Sequence, residues 1–263
     1  MTGVSDARGG MYDDLRDRVV LVTGSSRGVG AGIALAFAQA RARVVLHGRD
    51  EAALAAVSDR VEASGGRCLA VTGDVTRAAD LDRMRQRIAE QYGSVDVLVA
   101  NAGSTGSRPM PIEEITEADW RSDVDLNLTA TFLTVKCFLP DMKQRGSGSI
   151  ITISSAAGRR ASAYTLVAYG AAKAGVQIFT QDLAAQVGPA GIRANCLALE
   201  TILTESNEDL LPPEQQEKLV HMHPVRRLGT PDDVARAALF LASDASDWIS
   251  GVVLDIAGGA VLI

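Results

Sequence analysis

Tyr169 and Lys173 stand four residues apart in the run Tyr169-Gly170-Ala171-Ala172-Lys173. On a helix that spacing stacks a phenol and an ammonium on one face, one turn apart. A free phenol titrates at about 10. A neighbouring cation favours the phenolate and draws it toward working pH, which is what a general acid/base needs. Tyr164 has Ala168 at the same spacing and fails the test.

A second constellation lies near the N-terminus, where Val19-Val20-Leu21-Val22 runs into Thr23-Gly24-Ser25-Ser26-Arg27-Gly28-Val29-Gly30 and then a helical pattern. A strand, a tight glycine turn and a helix start place unpaired backbone N–H groups and a helix dipole around a pyrophosphate. The spacing Gly-x3-Gly-x-Gly departs from the ordinary Gly-x-Gly-x2-Gly fingerprint. At the end of the second strand, where an acid would hold the adenosine ribose 2′-hydroxyl, the chain reads His47-Gly48-Arg49 instead. Arg49 and Arg27 could converge on a 2′-phosphate, so NADP(H) is the expected cofactor, with NAD(H) possible. Arg49 as a solvated charge starting the next helix is the competing reading, and the adjacent Asp50 weighs on that side.

The elements that must position these residues follow from periodicity. Short, β-branched apolar runs predict strands over Val19–Thr23, Arg43–His47, Cys68–Thr72, Val95–Ala100, Ser149–Ser154, Ile192–Ala198 and Gly251–Ile256. Several are apolar at nearly every position, as in strands covered on both faces. Helical patterns lie between them: Gly28–Ala40, Asp50–Ser64, Arg77–Tyr92, Ile115–Arg145, Leu166–Val187 and Pro231–Ser243, the last with Thr230 as N-cap and Pro231 in its first turn. This alternation predicts an α/β fold, a doubly wound, seven-stranded parallel sheet with helices on both faces, Rossmann-like, with ligands at the carboxyl ends of the strands.

Length and composition set the frame. The 263 residues, 47% of them hydrophobic, suit one α/β domain over 18–263, preceded by a flexible arm over 1–17 that has no apolar run for a signal peptide or membrane span. The irregular stretch Glu200–Pro224, broken by Pro212-Pro213, is expected to be a lid near 200–224. A net charge of -6 without basic blocks argues against a nucleic acid or anionic membrane and for a small-molecule substrate. Cys68, Cys137 and Cys196 are odd in number, widely spaced and set among apolar residues, which reads as buried packing in a reducing cytoplasm, neither disulfide nor zinc. His221 and His223, two apart, do not face each other on a helix, so no metal site is expected and a place in the lid is preferred.

From Arg18 to Gly259 these motifs together resemble the short-chain dehydrogenase/reductase family, in particular its 3-oxoacyl-carrier-protein reductase-like members. Thr23-Gly24-x3-Gly28-x-Gly30 is similar to that family's cofactor loop, Asp74-Val75 to its adenine-contacting pair and Asn101-Ala102-Gly103 to the motif closing the fourth strand. Asn127 falls at the family's helix asparagine and Ser155 at its catalytic serine. The resemblance implies that Ser155 bonds the substrate carbonyl oxygen, Tyr169 moves the proton and Lys173 holds the ribose and lowers the tyrosine pKa, while Asn127 completes a water-mediated relay. Ser154 competes with Ser155, but strand alternation points it into packing. Ile202 and Thr204 match the positions that pack on the nicotinamide and bond its carboxamide. The family's usual Pro-Gly turn before them is replaced by Leu199-Glu200, so an altered loop that still binds is expected. The resemblance also implies a homotetramer, with a dimer as the alternative, and the apolar run Ala257–Ile263, if not buried in the monomer, favours a subunit contact.

The function expected is an oxidoreductase moving a hydride between NADP(H) and a carbonyl or alcohol carbon, with Tyr169 as acid/base. The alternative is a catalytically silent dinucleotide-binding module, which has no need of Ser155, Tyr169, Lys173 and Asn127. A methyl transferase on a related sheet leaves the Tyr/Lys pair equally unexplained. Leu199, Ile202, Leu203, Leu210 and Leu211 suggest a partly apolar substrate pocket.

Overall fold

Alternate residues of a strand face opposite sides of a sheet, so a strand apolar at every position needs cover on both. The computed structural model, which describes residues 12–104, 109–161, 166–205 and 212–262, meets this requirement. Strands β1 (Val19–Val22), β2 (Arg43–Gly48), β3 (Arg67–Thr72), β4 (Val97–Ala100), β5 (Gly148–Ser155), β6 (Ile192–Leu199) and β7 (Val253–Ile256) form one sheet. Their order is β3-β2-β1-β4-β5-β6-β7 and every pairing is parallel.

Val20, Val22, Val44, Leu46, Val97 and Val99 pack on one face beneath α1 (Gly28–Gln39), α2 (Glu51–Ala63) and α8 (Pro231–Ala242). Val19, Leu21, Val45, Leu69 and Leu98 pack on the other beneath α3 (Ala78–Tyr92), α5 (Ala130–Arg145) and α6 (Val167–Val187). The shorter α4 (Glu117–Val124) lies against α6. The chain winds outward from β1 to β3, then crosses back to place β4 beside β1. This reversal opens a crevice at their carboxyl ends. The doubly wound α/β fold is therefore as the periodicity predicts.

Four local expectations need correction. The helix expected over Ile115–Arg145 is two helices joined by a π turn at Asp125–Thr129, a register change that hydrophobic spacing does not reveal. The stretch expected as a lid contains a further helix, α7 (Pro213–Met222), started by Pro213 in its first turn; none of its residues is buried, so it carries little periodic signal. In the expected arm, Tyr12–Asp17 is ordered: Leu15 is in the core and the Asp17 N–H donates to the Arg41 carbonyl at 3.0 Å. Cys196 is buried as expected, whereas Cys68 and Cys137 are only half-buried; all three are free. Among the described residues, no helix is long and apolar enough to cross a membrane.

Candidate active site

The glycine loop is built at the junction of β1 and β4. Asn101 donates from Nδ2 to the carbonyls of Thr23 at 2.9 Å and Gly24 at 3.0 Å. Thr23 Oγ1 in turn accepts from the backbone N–H groups of Asn101 and Ala102, both at 3.1 Å. Gly24 adopts φ +65°, and a Cβ at Gly30 would lie 2.2 Å from the Gly24 carbonyl oxygen, so the loop closes on itself only because Gly30 has no side chain. Helix α1 begins at Gly28.

Two hollows meet at this loop. One, of about 430 Å³, is lined by Gly28, Val29, Gly30, Asn101, Ser155, Tyr169, Lys173, Ile202 and Thr204. The other, of about 470 Å³, is lined by Ser26, Arg49, Asp74, Val75 and Ala102, and Gly24, Arg27 and Gly103 line both. Every residue expected to contact the cofactor thus lines one or both of these hollows, which share Gly24, Arg27 and Gly103 and together form a trough. The glycine cradle between them suits the phosphates of a dinucleotide.

At one end of the trough lie the expected acid/base residues. The Tyr169 phenol faces the Ser155 hydroxyl, and Lys173 Nζ sits 5.6 Å from the Tyr169 ring centre. Ser155 Oγ accepts from the Ala157 N–H at 3.1 Å. Ser154 points away into packing, as strand alternation requires: its hydroxyl donates to the Lys173 carbonyl at 2.8 Å and accepts from Gln177 Nε2 at 2.9 Å. Lys173 is 4% exposed and donates to the Ile153 carbonyl at 2.9 Å. Burial lowers its ammonium to about 8. Burial also pushes the Tyr169 phenol above its usual value, against the pull of the Ser155 hydrogen bond and with a further upward push from Asp123.

Asn127 lines neither hollow directly. It is fully buried in the π turn, where Nδ2 donates to the carbonyls of Ser104 at 2.9 Å and Asp123 at 2.8 Å. Among the described residues its Oδ1 has no partner. A Cβ at Gly103 would lie 2.7 Å from that oxygen and 3.3 Å from Lys173 Nζ, so Gly103 approaches both groups too closely for a side chain.

Three placements differ from the sequence reading. Arg27 does not converge with Arg49: its Nη2 pairs with Asp50 Oδ2 at 2.7 Å, and Asp50 also caps α2 by accepting from the Ala53 N–H. Arg49 lies beside Asp74. Burial would raise the Asp74 carboxyl, but the N–H and hydroxyl of Thr76, then Arg49 and Arg77, bring it below its ordinary value. The third difference is the Leu199-Glu200 segment, which continues the sheet instead of turning. Leu199 pairs with Ser155 and Ile256, and the Glu200 N–H donates to the Ile256 carbonyl at 3.2 Å. Ile202 then bridges to Gly229, and Thr204 packs across Gly28, where a Cβ would be 3.5 Å from its methyl.

His47 was not singled out by the motifs, yet it lines the trough between the glycine loop and Gly73. The available signal was a polar residue near the end of an otherwise apolar strand. Among the described residues no His, Cys, Asp and Glu group could hold a metal ion. His223 is buried with Nδ1 against the Leu219 carbonyl at 2.7 Å, while His221 is exposed. Tyr164, Leu210 and Leu211 lie outside the described residues.

Comparison with known proteins agrees with this geometry. A family model described as enoyl-(acyl carrier protein) reductase matches residues 24–261. The chain is 34% identical over 251 residues to 7α-hydroxysteroid dehydrogenase of Escherichia coli (strain K12), covering 95% of this chain and 97% of that protein. It is 37% identical over 246 residues to the 3-oxoacyl-acyl-carrier-protein reductase FabG of Chlamydia muridarum, covering 93% and 98%. Among solved structures, 7α-hydroxysteroid dehydrogenase complexed with NADH and 7-oxo glycochenodeoxycholic acid superposes with a TM-score of 0.88 at 34% identity, covering 95% and 98% of the two chains. The chain belongs to the short-chain dehydrogenase/reductase family, and is an oxidoreductase acting between CH–OH and C=O.

Proposed function

We propose that this protein is an NADP(H)-preferring reductase of a small-molecule ketone or aldehyde, or the reverse alcohol dehydrogenase, with Tyr169 as its general acid/base. The observation that carries the reading is the Ser155–Tyr169 pair beside buried Lys173, in the same hollow as the glycine cradle. A nicotinamide bound along the trough supplies or accepts the hydride. In the reducing direction the Ser155 hydroxyl donates to the carbonyl oxygen, and the Tyr169 phenol gives that oxygen its proton as negative charge develops. Lys173, titrating at about 8, is still mostly an ammonium at neutral pH and stabilises the phenolate left behind. A water held by Asn127 Oδ1, on the Lys173 side, is the route that returns a proton toward Tyr169.

The NADP(H) preference rests on Gly48. An acid is missing where it would repel a 2′-phosphate, and Arg27 and Arg49 both rim the adenosine end. The Arg27–Asp50 pair tempers that field, so NAD(H) remains a weaker cofactor. The substrate side, with Leu199 and Ile202 in the wall, is partly apolar. Segment 200–224 is assigned as the lid over it. Assembly into a homotetramer through two apolar faces is part of the same reading. One carries exposed Phe132 and Ile178 on α5 and α6; the other carries Trp248, 97% exposed, beside Val252 and Leu254.

The test is a panel of carbonyl substrates followed by NADPH oxidation, repeated with NADH. Tyr169→Phe is expected to keep cofactor affinity near normal and to lose turnover. Undiminished activity in that variant refutes the acid/base role, and absence of turnover by the native chain on every carbonyl, with cofactor bound, favours the silent module.

A further inference from the structure

The imidazole of His47 spans the two loops that form the adenosine end of the trough. His47 is 3% exposed, at the carboxyl end of β2. Its Nδ1 accepts from the Gly24 N–H at 3.4 Å, and its Nε2 faces the Gly73 backbone, 3.6 Å from where a Gly73 Cβ would stand. Gly24 is the first glycine of the pyrophosphate loop, and Gly73 precedes Asp74, which lines the adenosine hollow. The backbone of His47 adds to the same junction. Its N–H donates to Ser25 Oγ at 2.9 Å, and its carbonyl accepts from the Ser25 N–H at 2.8 Å.

We propose that His47 is a positioning residue for the dinucleotide, whose neutral ring holds the glycine loop and the Gly73-Asp74 loop at the separation that the bound cofactor requires. The proposal rests on the dinucleotide trough assigned above. The bridge needs one ring nitrogen as acceptor and the other as donor, a combination only the neutral ring provides. A second proton turns Nδ1 into a donor facing the Gly24 N–H and breaks the span at that point. The charged groups facing the ring are Asp74, after β3, and Asp80, in the first turn of α3. Arg27, Arg49 and Asp50 stand on the same hollow, and the glycine loop presents backbone N–H groups and serine hydroxyls. Burial dominates these influences and lowers the ring to about 4. The span is therefore intact at neutral pH and opens on strong acidification.

The experiment measures dissociation constants of NADPH, NADH and 2′-phospho-ADP-ribose for the native chain, His47→Leu and His47→Gln, with circular dichroism reporting the folded fraction. His47→Leu is expected to weaken all three about tenfold, the scale of one lost hydrogen bond, with kcat at saturating cofactor within about twofold of native. His47→Gln, which keeps an amide donor and acceptor without a titration, is expected to recover most of that affinity. It should also lack the fall in affinity that the native chain shows as pH drops from about 5 to below 4, where the ring takes its proton. A His47→Leu protein that melts earlier but binds as tightly as native overturns the proposal, as does a His47→Gln protein with the native acid dependence. Should His47→Leu not fold, the pH profile of His47→Gln alone decides. If the native chain binds none of the three probes, the dinucleotide trough itself is refuted, and this reading falls with it.

Discussion

Replacing Lys173 by methionine is expected to abolish turnover while leaving the cofactor-free protein as stable as native, or more so. Burial lowers the lysine from 10.5 to about 8, which corresponds to about 3 kcal/mol of penalty for folding the charged form at pH 7. Methionine keeps an unbranched apolar stem and removes the charge. It also strips the Ile153 carbonyl of its donor, and an unsatisfied buried carbonyl costs about 1–3 kcal/mol. The balance lies between about zero and 2 kcal/mol in favour of the variant. The sign is open to a pH test. Between about 8 and 10.5 the unfolded lysine holds its proton and the folded one does not, so native stability rises with pH at up to ~1.4 kcal/mol per pH unit. The variant lacks that slope. Urea unfolding at pH 7 and across pH 8 to 10, without cofactor, reads both quantities, with activity assayed in parallel. A variant less stable than native by more than about 1 kcal/mol at pH 7, or one that keeps the alkaline slope, refutes the assignment of Lys173 as a strained, buried cation.

Further outcomes follow from other sites. Gly30→Ala forces a Cβ to within 2.2 Å of the Gly24 carbonyl oxygen, so cofactor titration should show binding lost and calorimetry a cost of about 1–3 kcal/mol; native-like binding contradicts the cradle. Gly48→Asp places a carboxylate beside Ser26, whose Oγ is 3.0 Å from the new Cβ, and should shift the NADPH-to-NADH ratio of kcat/KM toward NADH by more than about tenfold; an unchanged ratio shows the preference is set elsewhere. Acidification should destabilise the native chain through His47. The unfolded ring takes its proton at 6.5 and the folded ring only at about 4, so up to about 3 kcal/mol is lost as pH falls through that window. The comparison is with His47→Gln in urea titrations. Thr230→Val removes a complete capping box with Asp233 and should cost about 1 kcal/mol by thermal melting, with kcat unaffected.

What could be read from the sequence was what periodicity and local spacing encode. Val19-Val20-Leu21-Val22 announces a strand covered on both faces, and the Tyr169/Lys173 spacing needs only a helix to bring two groups together; both are local facts. Pairing chemistry across the fold was not legible. Arg27 and Asp50 are 23 positions apart and meet only because β1 and β2 are neighbours, so the phosphate clamp expected of Arg27 gave way to an ion pair. The π turn at Asn127 was hidden for another reason: it inserts a register change that leaves the apolar pattern on either side undisturbed. Leu199-Glu200 was recognisable as a departure, but its result, an extension of β6 against β7, depends on the edge that Ile256 offers.

The bridge between Ile202 and Gly229 links distant parts of the trough into one frame. Leu203 donates to the Gly229 carbonyl at 2.8 Å, and the Gly229 N–H returns a bond to Thr201 at 3.1 Å. Two residues on, Pro231 opens α8 so close to α1 that a Cβ on Gly32 would meet its ring at 2.5 Å. The helix that ends the glycine loop, the start of α8 and the wall at Ile202 are thus clamped in series. For protein engineering this means that a side chain added at Gly229, whose Cβ would stand 2.4 Å from Ile202, or at Gly32 is felt on both walls of the cofactor trough at once.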